Sequence, residues 1–126
     1  MNLSGSAFET IATQFLIKNG LQPVQRNFNC KLGEIDLIAK DTRKPELELV
    51  FVEVRFRSNE NYGGALASIG YAKQKKLIRA AKYYLMQNPW AAKMFCRFDV
   101  IAISPQKDDN ELPHIEWVQN AIQVNY

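Results

Sequence analysis

The sequence predicts an α/β domain whose elements run in the order α-β-β-β-α-β-β. Three observations predict it. Two segments repeat apolar residues every three or four positions, and several short runs rich in β-branched and aromatic residues are bounded by turn signals. The chain also has 126 residues with 47% hydrophobic and 23% charged content, enough for one core without metal or disulfide staples. One domain over residues 1–126 is therefore expected, with no repeat, linker or low-complexity tract to suggest a second.

The first helix is expected from Ser6 to Asn19, where Phe8, Ile11, Ala12, Phe15 and Leu16 share one face and Gly20 stands where a helix end favours a left-handed residue. Glu9 falls at the margin of that apolar stripe, within reach of a sheet edge. A short strand follows at Val24 to Phe28, then a turn through Asn29 to Gly33, then a strand from Glu34 to Lys40. Asp41 to Glu46 has turn chemistry, and Leu47 to Arg57 returns as a long strand that completes a hairpin. Glu34, Asp36 and Ile38 share a face on the first arm; Leu49, Phe51, Glu53 and Arg55 share one on the second. A turn centred between Lys44 and Pro45 sets Asp36 opposite Glu53 and Glu34 opposite Arg55, with a shift of two residues as the other allowed register.

Ser58 to Gly70, including Tyr62-Gly63-Gly64, reads as a flexible loop. The second helix runs from Tyr71 to Gln87 and ends at Asn88-Pro89. Its apolar face is Leu77, Ile78, Ala81, Tyr84 and Leu85, and its opposite face crowds Lys75, Lys76, Arg79 and Lys82. Gln74 is a polar residue projecting into the apolar face. Two further strands, Arg97 to Ser104 and His114 to Gln119, flank the polar turn from Pro105 to Pro113. His114 is expected on a strand surface, and Asp99 in an ion pair with Arg97 or Lys93 rather than at the acidic end.

The net charge of +3 and a pI of about 8.9 lean toward a polyanionic partner. Cys30 and Cys96 lie far apart with no CxxC and a single histidine, which argues against zinc and for core thiols in a reducing, cytoplasmic setting. No leader pattern or membrane-length apolar run is present, so no membrane association is expected. P-loop, Rossmann, nucleophile-elbow and HExxH patterns are absent as well.

Two facing carboxylates repel, which raises the proton affinity of at least one unless a cation lies between them. Hard oxygen donors suit Mg²⁺ or Mn²⁺. Asp36 and Glu53, with the Val54 carbonyl and Glu9 through water, make such a site, and Arg55 points to the same side and can contact a phosphate. That is machinery for phosphodiester hydrolysis. From spacing alone, a salt-bridge cluster of Glu34, Asp36, Glu53 and Arg55 at a solvated sheet end is an equal reading.

Phe8-Glu9, Gly33-Glu-Ile-Asp-Leu-Ile-Ala39, Phe51-Val-Glu-Val-Arg55, Lys73-Gln74 and Arg97-Phe-Asp-Val100 together resemble, in order and spacing, the YraN family of small bacterial proteins. That family is similar to Holliday-junction resolvases and the PD-(D/E)xK nuclease superfamily. The resemblance runs from about Gly5 to Gln119. It implies a restriction-endonuclease-like fold, with a mixed central sheet flanked by helices and an acidic site at one end. It further implies that Glu9, Asp36, Glu53 and Gln74 are the site residues, that DNA is the substrate, and that a two-fold homodimer is a reasonable assembly. The outward face of the second helix, Lys75, Lys76, Arg79 and Lys82, with Arg57 and the Tyr62 loop, would follow the DNA backbone, although such a run also serves as a solvated face.

Two positions depart from the pattern. Phe8 stands where a glycine is expected before the acid, and Arg55 stands where the superfamily has lysine. Arginine stays protonated and cannot act as a base, but it can hold a phosphate while water attacks, with Gln74 orienting Arg55 or that water. The expected function is thus a metal-dependent endonuclease acting on branched or damaged DNA. The alternatives are a weak or non-cleaving nucleic-acid-binding accessory protein and a purely structural domain.

Overall fold

The hairpin of residues 33–57 supplies two inner strands of the sheet. A computed structural model describes residues 5–57, 69–104 and 112–124. Strands β2 (Gly33–Asp41) and β3 (Glu48–Phe56) pair antiparallel, with Leu37 opposite Val52 and Asp41 opposite Glu48. This is the register centred between Lys44 and Pro45. Strand β1 (Leu21–Cys30) lies antiparallel to β2, β4 (Phe95–Ser104) parallel to β3, and β5 (His114–Val118) antiparallel to β4, so the sheet order is β1-β2-β3-β4-β5.

Helix α1 (Gly5–Lys18) covers one face and α2 (Tyr71–Gln87) the other, followed by a single turn, α3 (Pro89–Ala92). The result is the restriction-endonuclease-like α/β architecture that the sequence implies. Leu49 to Glu53 of β3 is buried throughout, as a strand covered on both faces requires. Phe51, Leu49 and Ile38 pack with Leu77, Ala81 and Tyr84 of α2, while Val50, Val52, Leu37 and Ala39 pack with Ala12 and Leu16 of α1.

Alternation along β2 is broken at one place. Ile35 and Ile38 both belong to the α2-side core and Leu37 to the α1-side core, so the expectation that Glu34, Asp36 and Ile38 simply share a face needs correcting. In the neighbouring strand Asn27, between the paired Arg26 and Phe28, has φ +53°, and the β1–β2 register shifts between Pro23 and Gln25.

Other expectations also shift. Strand β1 is ten residues long rather than the five of Val24 to Phe28, because backbone pairing with β2 continues through polar residues that pattern alone does not mark. Asn88-Pro89 ends α2 as expected, but Pro89 then takes the first position of α3, where its missing N–H costs nothing. Cys30 is half-buried, but Cys96 is exposed and not a core thiol, because Phe95 and Cys96 begin β4 uncovered by either helical layer. His114 is exposed on β5. Gly20 has φ +93° and closes α1 as its position predicts. Most of the expected loop at 58–70, including Tyr62-Gly63-Gly64, and of the turn at 105–113 lies outside the described residues. Among those described, no helix is long and apolar enough to cross a membrane.

Candidate active site at the end of the central strands

The pairing of β2 with β3 stops one step short of Asp36 and Glu53. Beyond that step the Val54 N–H donates to Asp36 Oδ2 at 2.8 Å instead of to a backbone carbonyl. A strand residue directs its N–H and C=O toward the same neighbour, so the Val54 carbonyl faces the β2 side as well. Asp36 is therefore held in place by the backbone of β3.

Glu53 is 4% exposed. Its Oε1 lies 3.7 Å from Arg55 Nη1 and 3.8 Å from Lys73 Nζ, and its Oε2 is buried without a hydrogen-bond partner. Burial and then the Asp36 charge push its pKa up to about 7, against the pull of Lys73 and Arg55. Burial raises the Asp36 pKa too, opposed by the Val54 N–H and with Glu34 adding a smaller push. The Asp36 charge thus opposes ionisation of Glu53, a repulsion that a cation between the two acids would relieve.

Glu9 reaches the same end from α1. Its Oε1 is buried, lacks a hydrogen-bond partner and sits 3.8 Å from Arg26 Nη2, too far for a hydrogen bond. Burial and the charge of Asp36 raise its pKa. Glu9, Asp36, Glu53 and Arg55 thus lie together at this end of the sheet. Among the described residues there is no group of three or more His, Cys, Asp or Glu arranged as a ready-made metal cluster. Mg²⁺ and Mn²⁺ need fewer: one or two carboxylates, with water and phosphate completing the shell. A repelling pair of acids and two orphaned carboxylate oxygens fit such an ion.

Gln74 lies in the first turn of α2, half-buried, and its Nε2 donates to the Ile69 carbonyl at 3.0 Å. It fastens the helix start, the local bonding that its position also allows. Lys73, its neighbour, is the residue to which sequence reasoning gave no role. Its only signal was its place in the Lys73-Gln74 pair; that its ammonium would meet Glu53 depends on the angle at which α2 crosses the sheet.

The basic residues divide. Lys75, Lys76, Arg79 and Lys82 are all exposed, but Lys75 sits over the Tyr71 ring at 4.6 Å, and Lys82 borders an apolar cleft with Phe51, Ile78 and Leu85. Only Lys76 lies beside Lys73, in a groove with the β1–β2 turn. Arg57 is half-buried, and its N–H donates to the Ile103 carbonyl at 2.8 Å.

Asp99 pairs with Val52, only one residue from Glu53 along β3, but its side chain joins a network that leads toward the Asp41 end of the sheet. It accepts from Arg97 Nε at 3.0 Å, Trp117 Nε1 at 3.0 Å and the Asn120 N–H at 2.9 Å. Arg97 Nη1 also donates to Asp41 Oδ2 at 2.8 Å, and Arg43 clasps Asp41 through two side-chain bonds. Here every acid has its cation, and the Arg43 guanidinium holds the Asp41 carboxyl well below the usual range.

Comparison with known proteins agrees with this geometry in one respect. A model of the uncharacterised protein family UPF0102 matches residues 8–103, which spans the site from Glu9 to Gln74. A UPF0102 protein of Janthinobacterium sp. (strain Marseille) is 50% identical over 97% of this chain and 89% of its own. One from Nitrosospira multiformis is 44% identical over 100% of this chain and 98% of its own. Another, from Legionella pneumophila, is 44% identical over 95% and 94%.

Proposed function

The chain belongs to the uncharacterised protein family UPF0102, the YraN family, and from that premise we propose that it is a Mg²⁺- or Mn²⁺-dependent endonuclease hydrolysing phosphodiester bonds in branched or damaged DNA. The observation that carries the reading is Glu53, a buried carboxylate with an orphaned oxygen, facing a second acid and approached by two cations. A structural ion pair does not leave an oxygen in that state; the fully satisfied network around Arg97 shows how this fold builds one.

In this reading Asp36, Glu53 and the Val54 carbonyl hold the ion. When bound, the ion supplies charge at the scissile phosphate and lowers the proton affinity of the attacking water. Glu9, whose own proton affinity is raised, orients that water and takes up its proton. Arg55 and Lys73 converge on Glu53 Oε1 and hold the phosphate against it. Gln74 positions Lys73 by fixing the first turn of α2.

Arg55 favours a second reading, an accessory protein that binds nucleic acid without cutting it, since arginine cannot exchange the proton that a lysine there could. One experiment separates the two: calorimetric titration of Mn²⁺ and Mg²⁺ into wild type and Asp36→Asn, with branched and linear DNA cleavage run on the same samples. The endonuclease reading expects metal binding and cleavage in wild type, and neither in the variant. DNA binding that needs no divalent ion, with no cutting, supports the accessory protein. No metal binding in either protein overturns the assigned site.

A further inference from the structure

Beside the acid pair runs a second feature that its chemistry leaves unused. A groove of about 370 Å³ separates the β1–β2 turn from the first two turns of α2, lined by Asn29, Lys31, Glu34, Lys73 and Lys76. Its charged walls carry three lysines against one carboxylate. Lys73 is engaged by Glu53, but among the described residues neither Lys31 nor Lys76 has an ion-pair or side-chain hydrogen-bond partner. Ammonium groups lining one cleft repel, and an anion bound in it relieves the repulsion.

The groove is built rather than incidental. Gly33, at its base, packs so tightly on the helix that a Cβ there would lie 3.0 Å from the Lys76 carbonyl oxygen and 3.3 Å from Lys76 Cβ. That contact fixes the distance between the wall bearing Lys31 and the wall bearing Lys76. Gly33 also begins the strand that reaches Asp36 three residues on, about 10 Å away at the usual strand rise. Lys73 stands on both the groove and the acidic site.

We infer that this groove binds a backbone phosphate of the same DNA strand, next to the one presented to Asp36 and Glu53. Lys31 and Lys76 clamp it, and Lys73 is shared between the two positions. The inference rests on the nucleic-acid reading above and adds the path of the strand, which leaves the acid pair toward the β1–β2 turn rather than along the outward face of α2 at Arg79 and Lys82.

The test is DNA binding without divalent ions, so that cleavage plays no part. Fluorescence anisotropy of a labelled branched DNA and its linear counterpart is followed over a salt series for wild type, Lys31→Ala/Lys76→Ala and Arg79→Ala/Lys82→Ala. All four lysine and arginine positions are exposed, so both variants should fold, which circular dichroism checks. The inference expects the groove variant to lower the slope of log K against log salt by about 1 to 2, each lost phosphate contact being worth slightly less than one. The outer-face variant should change it little. A wild-type slope in the groove variant, with the loss appearing in the outer-face variant instead, overturns the groove and leaves the nucleic-acid reading intact. No DNA binding by wild type even at low salt overturns both.

Discussion

Glu53 is 4% exposed, feels the charge of Asp36 and keeps one oxygen without a donor, so ionising it in the metal-free protein costs free energy. Its folded pKa, about 7, lies above the ordinary glutamate value of 4.5. A carboxyl raised in this way stabilises the fold fully below its unfolded pKa and loses that contribution as pH climbs through the folded value. Metal-free wild type should therefore weaken between about pH 5 and about pH 8, and Glu53→Gln should not, making the variant the more stable at the upper end by on the order of 1 to 3 kcal/mol. Urea unfolding at both pH values checks this, and parallel curves for the two proteins would exclude it. Lys73 offers a companion measurement. Lys73→Met should lower DNA cleavage about 100-fold if its charge acts at the phosphate, whereas Lys75→Met, whose ammonium rests over Tyr71, should stay close to wild type in the same assay.

Elements position these side chains through contacts that a pattern does not always display. Gly33 is legible as a turn glycine, but its stricter duty is the close approach to α2. Gly33→Ala should cost about 1 to 3 kcal/mol, read from the urea midpoint, because the new methyl meets helix backbone rather than a flexible side chain. The hairpin register was readable because a turn at Lys44-Pro45 and the buried side chains of β3 agree on one pairing, and the wheel of α2 correctly turned Leu77, Ala81 and Tyr84 inward. Three features were not readable. The change of face around Asp36 shows only in how Ile35 and Leu37 pack into different cores. The length of β1 depends on hydrogen bonds to β2 rather than on its own mixed side chains. Lys73 depends on how α2 sits across the sheet, which helical periodicity alone does not fix. Local sequence marks which face a residue takes; whom it meets there is decided by the neighbouring element.

Across the whole molecule the sheet has one end where charges are completed and one where they are left unfinished. Asp41 and Arg97 close a network near Glu48 that runs on to Asp99, and five residues along β3 from Glu48, about 17 Å at the usual rise, Glu53 and Asp36 remain open. The Asp41 pKa is depressed, chiefly by Arg43, so its contribution is present above its unfolded value of about 3.9 and is lost as pH falls below it. Asp41→Asn should thus destabilise the protein at neutral pH and flatten the acid limb of its stability curve, the mirror image of what Glu53→Gln does. Sites this far apart without shared partners behave independently, so the double variant should equal the sum of the two single changes within about 0.5 kcal/mol at neutral pH. Metal affinity should follow the same division: unchanged in Asp41→Asn, lost in Glu53→Gln. A double variant whose stability departs from the sum by more than that, or an Asp41→Asn protein that binds Mn²⁺ more weakly, would mean that the two ends communicate through β3 and that the closed network helps to aim the open one.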